Sequence, residues 1–182
     1  AAPLRQCETA AGPCRGAGIC GPIRAHSAPM TPPVIHIDAD ACPVKAETYK
    51  VAQRLALNVR VVANAWLNVP QDPRIELVTV GDGFDAADDR IVADVTPGDV
   101  VITADIQLAA RCLEAGAAVV APDGREFSRA NIGQALAMRA LMADLRAGAD
   151  QGGLKGPKPM TQRDRSNFLQ TLDRVITRLM RG

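Results

Sequence analysis

The stretch VIHIDADACPV, residues 34–44, runs an apolar segment into two acids, Asp38 and Asp40, followed by Cys42 and Pro43. Further on, Asp82, Asp85, Asp88 and Asp89 follow the apolar run IELVTV (75–80), and Asp105 stands two residues after Thr103 at the end of DVVIT (99–103). Clustered carboxylates repel, and gathering them costs stability unless a cation offsets their charge. Hard divalent cations prefer oxygen ligands, and Mg²⁺ is usually held by one or two carboxylates plus waters and substrate phosphates. An ion so placed can activate a water for attack on a phosphodiester. Taken singly, each Asp reads equally as a helix N-cap or a solvated loop acid. Taken together, Asp38, Asp40, Asp85, Asp88 and Asp105 are candidate ligands for Mg²⁺ or Mn²⁺. Asp38, Asp85, Asp88 and Asp105 are the catalytic candidates among them.

The elements that must position these acids can be read from hydrophobic period. VIHID (34–38), VRVVA (59–63), IELVTV (75–80), DVVIT (99–103) and AAVVAP (117–122) are apolar, strand-like runs. They alternate with helical spacing over 44–56, 85–94 and 106–115, and Pro43 suits the first position of a helix. Continuously apolar strands alternating with helices imply parallel strands covered on both faces. The expected fold is a three-layer α/β/α sandwich with a mainly parallel, about five-stranded sheet, spanning 31–147. In such sheets ligands bind beyond the carboxyl ends of the strands, where the strand order reverses. The acids named above stand at those ends.

After Gly124 the pattern becomes helical over 129–147, with Ile132, Leu136, Met138, Leu141, Met142 and Leu145 at helical intervals. The Gly/Pro/Lys segment GADQGGLKGPKPM (148–160) reads as a flexible basic linker. A last helix, over 161–182 and capped by Thr161 or Ser166, carries Phe168, Leu169, Leu172, Val175, Ile176 and Leu179 on one side, and is expected to pack on the domain. Residues 1–30, rich in Ala, Gly, Pro and Cys, show neither period. They read as a disordered lead, either an over-extended gene start before Met30 or a genuine flexible tail.

The formal net charge of +1 conceals polarity along the chain. Residues 31–100 hold 6 Lys/Arg against 11 Asp/Glu, whereas 153–182 hold 7 against 2. Lys155, Lys158, Arg163 and Arg165 could neutralise phosphates of RNA or single-stranded nucleic acid and steer it to the acidic edge. For Arg174, Arg178 and Arg181 a solvated helix face is the better reading. Asn64, just after the second strand, and Thr103 are candidates to orient water or phosphate. Trp66, the single Trp, could stack on a base but reads better as a packing residue, as does His36 within the first strand.

The five cysteines are scattered and fit no zinc spacing, which favours reduced thiols in a cytoplasmic setting. No apolar run approaches the ~18 residues of a membrane span. Cys42 lies near a helix N-terminus, which favours thiolate, but also beside two carboxylates, which oppose it. A small apolar filler is the better reading.

Two resemblances extend this picture. VTVGDGFDAADD (78–89) resembles the Gly-Asp-Gly…Asp motif of haloacid-dehalogenase-type phosphatases, and the DAD after the first strand resembles their nucleophile motif. Those enzymes need a Lys and a Ser/Thr segment between the two, and here Lys45 and Lys50 belong to the first helix. The chain order is wrong for that family. A second resemblance covers about residues 34 to 180: IHIDADACPVKAETYKVAQR, NVRVVAN, GFDAADDRIVADVTPGDVVITADIQLAARCLEAGAAVVAPDG and TQRDR together look like the bacterial YaiI/YqxD family. That family resembles PIN-like nuclease domains, with an Asp after strand one, acids opening a middle helix and a Thr-x-Asp after strand four. The resemblance places these on Asp38, on Asp85 or Asp88, and on Thr103 with Asp105. It implies a metal-dependent nuclease acting on RNA or single-stranded nucleic acid. Non-catalytic nucleic-acid binding and small-molecule phosphatase chemistry are the other readings.

Overall fold

The computed structural model describes residues 32–40, 42–81, 83, 85–148 and 159–181. Its strands are β1 (Ile35–Asp38), β2 (Val59–Ala63), β3 (Ile75–Thr79), β4 (Val100–Ile102), β5 (Ala118–Val120) and β6 (Glu126–Phe127). The helices are α1 (Lys45–Leu55), α2 (Ala86–Asp94), α3 (Ile106–Glu114), α4 (Ile132–Gly148) and α5 (Gln162–Arg181). The six strands form one sheet in the order β3-β2-β1-β4-β5-β6. All neighbours are parallel except β5 and β6. The antiparallel sixth strand was not expected; at two residues it is too short to carry a period.

Alternation along each strand divides the core in two. Ile35, Ile37, Val59, Val61, Val100 and Ile102 face one side, where Val51 and Ala52 of α1 and Phe168, Leu172, Val175 and Ile176 of α5 cover them. Val62, Val101 and Val119 face the other, beneath Ala87 and Ile91 of α2 and Leu108, Ala109 and Cys112 of α3. The last helix is thus a layer of the core. Its start is fixed by a reciprocal cap: the Thr161 N–H and hydroxyl both donate to Asp164 Oδ2, and the Asp164 N–H donates to Thr161 Oγ1. Further along, Arg174 and Arg178 pair with Glu126 of β6, and Arg54 of α1 pairs with Asp173. Arg174 and Arg178 are exposed, as expected of a solvated face, and they also pair with the sheet edge.

Gly124, in the turn between β5 and β6, has φ +87°, and a Cβ there would lie 2.7 Å from backbone atoms of Asn167 and Phe168. Glycine is required both by that left-handed conformation and by the approach of α5. Helix α4 packs on α3 through its first turns. Farther along, Met138, Leu141, Met142 and Leu145, which recur at helical intervals, are exposed.

Candidate active site at the β1/β4 switch point

The strand order reverses between β1 and β4, which lie side by side with Ile37 opposite Ile102. This is the crevice where open α/β sheets bind ligands. Parity then decides what enters it. Asp38 and Thr103 follow Ile37 and Ile102 by one residue, so both turn toward the α2/α3 face. Asp38 is only 6% exposed. The Thr103 hydroxyl donates to Asp38 Oδ2 at 2.8 Å and accepts the Asp105 N–H at 2.9 Å. One buried hydroxyl thereby joins the end of β1 to the start of α3.

Asp105 is the N-cap of α3: its Oδ1 accepts the N–H groups of Gln107 (2.6 Å) and Leu108 (3.3 Å). The cap and metal-ligand readings of this residue are therefore not exclusive. Arg139 Nη1, from α4, also donates to both carboxylate oxygens, at 3.3 and 3.1 Å. Burial works to raise the Asp105 pKa, but the Gln107 N–H, the Arg139 guanidinium and the Leu108 N–H outweigh it and hold the carboxyl below its ordinary value. Arg139 had no counterpart in the sequence reading. It lies within a helix noted only for its helical spacing, and its partner stands 34 residues away along the chain.

Asp85 and Asp88 enter from α2. Asp85 is exposed and takes up φ 61° just before the helix, a left-handed conformation that Asp tolerates better than most residues. Asp88 is half-buried in the first turn, and no hydrogen bond to its carboxylate is formed among the described residues. Burial, then the charges of Asp38, Asp105 and Asp85, push its carboxyl up to about 6, with Arg111 opposing. Burial likewise raises Asp38 above the ordinary range; the Thr103 bond pulls it back, and Asp40 and Asp105 push it further up. Asp88 thus feels the charges of Asp38, Asp105 and Asp85, and Asp38 those of Asp40 and Asp105. Among the described residues, however, no group of three or more His, Cys, Asp or Glu side chains is close enough to form a ready-made cation cage. An ion held here would therefore take only one or two carboxylates directly and keep much of its water shell, as Mg²⁺ can.

The remaining candidates divide. Asp40 is exposed, and its Oδ2 accepts the Asn64 N–H at 3.3 Å, so both border the site from the β1 and β2 ends. Trp66, expected to pack, is 79% exposed in the loop that follows Asn64. Arg165, a phosphate candidate, donates to Glu47 Oε1 at 2.7 Å and to the Pro43 carbonyl, tying α5 to the start of α1. Arg163 is exposed at the start of α5. Lys155, Lys158 and Asp82 lie outside the described residues, as do residues 1–31 and most of the expected linker. Lys45 Nζ donates to the Ala39 carbonyl at 2.8 Å, in the segment that joins Asp38 to Asp40. Arg111 of α3 pairs with Asp89 at 2.6 Å. Cys42 is buried, and burial pushes its thiol up to about 11, in keeping with a filler. His36 is also buried, with Nε2 3.4 Å from Asp99 Oδ2 at the opposite edge of the sheet.

The architecture is that of an open, mostly parallel α/β protein whose switch point is lined by carboxylates. The chain belongs to the YaiI/YqxD family: residues 36–178 match the family described as "Uncharacterized BCR, YaiI/YqxD family". A UPF0178 protein of Rhodospirillum centenum is 57% identical over 150 residues, covering 81% of this chain and 97% of that protein. The UPF0178 proteins of Azorhizobium caulinodans (55% over 156 residues; 86% and 97% covered) and Sphingopyxis alaskensis (54% over 153; 84% and 99%) are similarly alike. No solved structure matches the chain. Among the described residues, no helix is long and apolar enough to cross a membrane.

Proposed function

We propose that the β1/β4 edge is the active site of a PIN-like, divalent-metal-dependent nuclease that hydrolyses phosphodiester bonds in RNA or single-stranded nucleic acid. The observation that carries this reading is the set of acids converging from β1, α2 and α3, in which Asp88 is pushed up to about 6. A fold that gathers mutually repelling carboxylates at its ligand-binding edge gains from a cation there. Asp38 and Asp88 would hold Mg²⁺ or Mn²⁺, with Asp85, Asp105 and Asp40 near enough to act directly or through water. Such an ion, when bound, supplies charge neutralisation for phosphate and an activated water. The chain's own residues do the positioning. Thr103 fixes the Asp38 carboxylate and the start of α3, and Asn64, with Lys45, Arg111 and Arg139, borders the acids with donors able to meet phosphate oxygens.

A second reading, nucleic-acid binding without cleavage, draws on the Arg139–Asp105 pair, which already gives one acid an internal cation. The wild type and the Asp38→Asn and Asp88→Asn variants, assayed with Mn²⁺ on labelled single-stranded RNA and on a generic phosphomonoester, separate the readings. Cleavage of RNA by the wild type, lost in both variants, is the expected result. Binding without cleavage supports the second reading, and turnover of the phosphomonoester alone would overturn both in favour of a phosphatase.

A further inference from the structure

Asp105 is the acid whose partners are most completely assigned. Its Oδ1 accepts two N–H groups of the α3 cap as well as Arg139, whereas Oδ2 is held by Arg139 alone. The cap is part of the helix and stays. A cation shared between Asp105 and the neighbouring acids must therefore use Oδ2, the atom on which Arg139 sits at 3.1 Å. Two positive charges do not share one carboxylate oxygen favourably, so cation and guanidinium compete.

A displaced Arg139 finds no second anion within one turn of itself on α4, whose acid, Asp144, stands five residues further on. The residues one turn away, Ala135, Leu136, Met142 and Ala143, are apolar. Its contact with Asp105 uses Nη1 only; Nη2 and Nε make no hydrogen bond among the described residues, and the side chain is 44% exposed. A guanidinium with unused donors in fixed fork geometry, set at the rim of an acidic edge, matches a phosphate better than any other ligand group.

We infer that Arg139 exchanges partners: it holds Asp105 in the free protein and, once a divalent cation takes Asp105 Oδ2, it contacts a backbone phosphate of the bound nucleic acid. This rests on the nuclease reading given above and adds to it the residue that couples cation loading to substrate capture. The pairing suppresses cation binding while no phosphate is present and supplies the phosphate contact when one arrives.

One substitution then has opposite effects on two ligands. Arg139→Gln should bind Mn²⁺ about two- to fivefold tighter than wild type in a titration without RNA, the range expected from losing a partly exposed ion pair. The same variant should bind labelled single-stranded RNA in Ca²⁺ about five- to tenfold more weakly, and its salt slope should fall by about one phosphate contact. Arg139→Lys, which keeps the charge and loses the fork, should fall between on both. Thermal melting confirms that each variant is folded. Either effect without the other overturns the exchange. A wild type that binds both ligands beside a variant that matches it overturns the exchange and leaves the nuclease reading standing. A wild type that binds neither overturns both.

Discussion

The Thr103 hydroxyl lies between Asp38 Oδ2, to which it donates, and the Asp105 N–H, which it accepts. A buried side chain thus sets the relative position of the two acids nearest the switch point.

Replacing it tests that role. Thr103→Val keeps the shape but leaves the Asp105 N–H without an acceptor and Asp38 without its donor. The expected cost is about 1–3 kcal/mol in denaturant unfolding. Mn²⁺ affinity should fall at least tenfold, the usual effect of losing a group that orients a ligand. Thr103→Ser should recover most of both. A Val variant with unchanged Mn²⁺ binding would show that the hydroxyl serves stability alone.

Asp88 gives a pH signature. Its carboxyl titrates near 6 in the folded chain and near the ordinary value of 3.8 when unfolded. A raised folded value stabilises below the unfolded value, and that contribution is lost as pH rises through 6. Wild-type stability relative to Asp88→Asn should therefore fall between about pH 4 and pH 7. The expected change is about 1 kcal/mol after allowance for partial solvent exposure. Parallel urea titrations at several pH values without metal measure it, and a flat difference would mean that Asp88 is not charge-stressed.

Trp66 offers an optical probe, because it is the only Trp in the chain and is largely exposed. Its emission should be that of a solvated indole. Single-stranded RNA should quench it saturably if a base stacks beside the acidic edge, and Trp66→Ala should then weaken binding about tenfold. Binding without any change in emission would place the strand elsewhere.

Gly124 reports on the last helix. Gly124→Ala meets both a left-handed backbone and the backbone of Asn167 and Phe168 at 2.7 Å. A loss of about 2–4 kcal/mol is expected, with protection in α5 amides lost first in hydrogen exchange. Uniform loss of protection across the chain would show that α5 and the sheet unfold as one unit.

The layers were legible because β1 to β5 are apolar runs and the helices between them keep their period. Asp38 and Thr103 were legible for the same reason: Asp38 ends β1, Thr103 directly follows β4, and parity does the rest. What escaped were relations between segments. The pairing of Arg165 with Glu47, and of Arg174 and Arg178 with Glu126, depends on where α5 crosses the sheet, which its own spacing does not specify. Arg139 escaped because the helical spacing of 129–147 does not single it out; only the approach of α4 to α3 gives it a partner. Trp66 misled because large aromatics are highly buried on average, and a loop position overrides that tendency.

The placement of α5 also bears on how the molecule is made. Phe168, Leu172, Val175 and Ile176 cover Ile35 and Ile37 of the first strand, so residues synthesised early wait for a partner synthesised more than a hundred residues later. The acids between 38 and 105 can come together as soon as β4 and α3 are in place, since α2 and α3 cover that face without help from the far end of the chain. The reactive edge can thus assemble while the opposite face of its own sheet is still bare. That interval is when the chain is most open to aggregation, and its length is set by how quickly α5 docks.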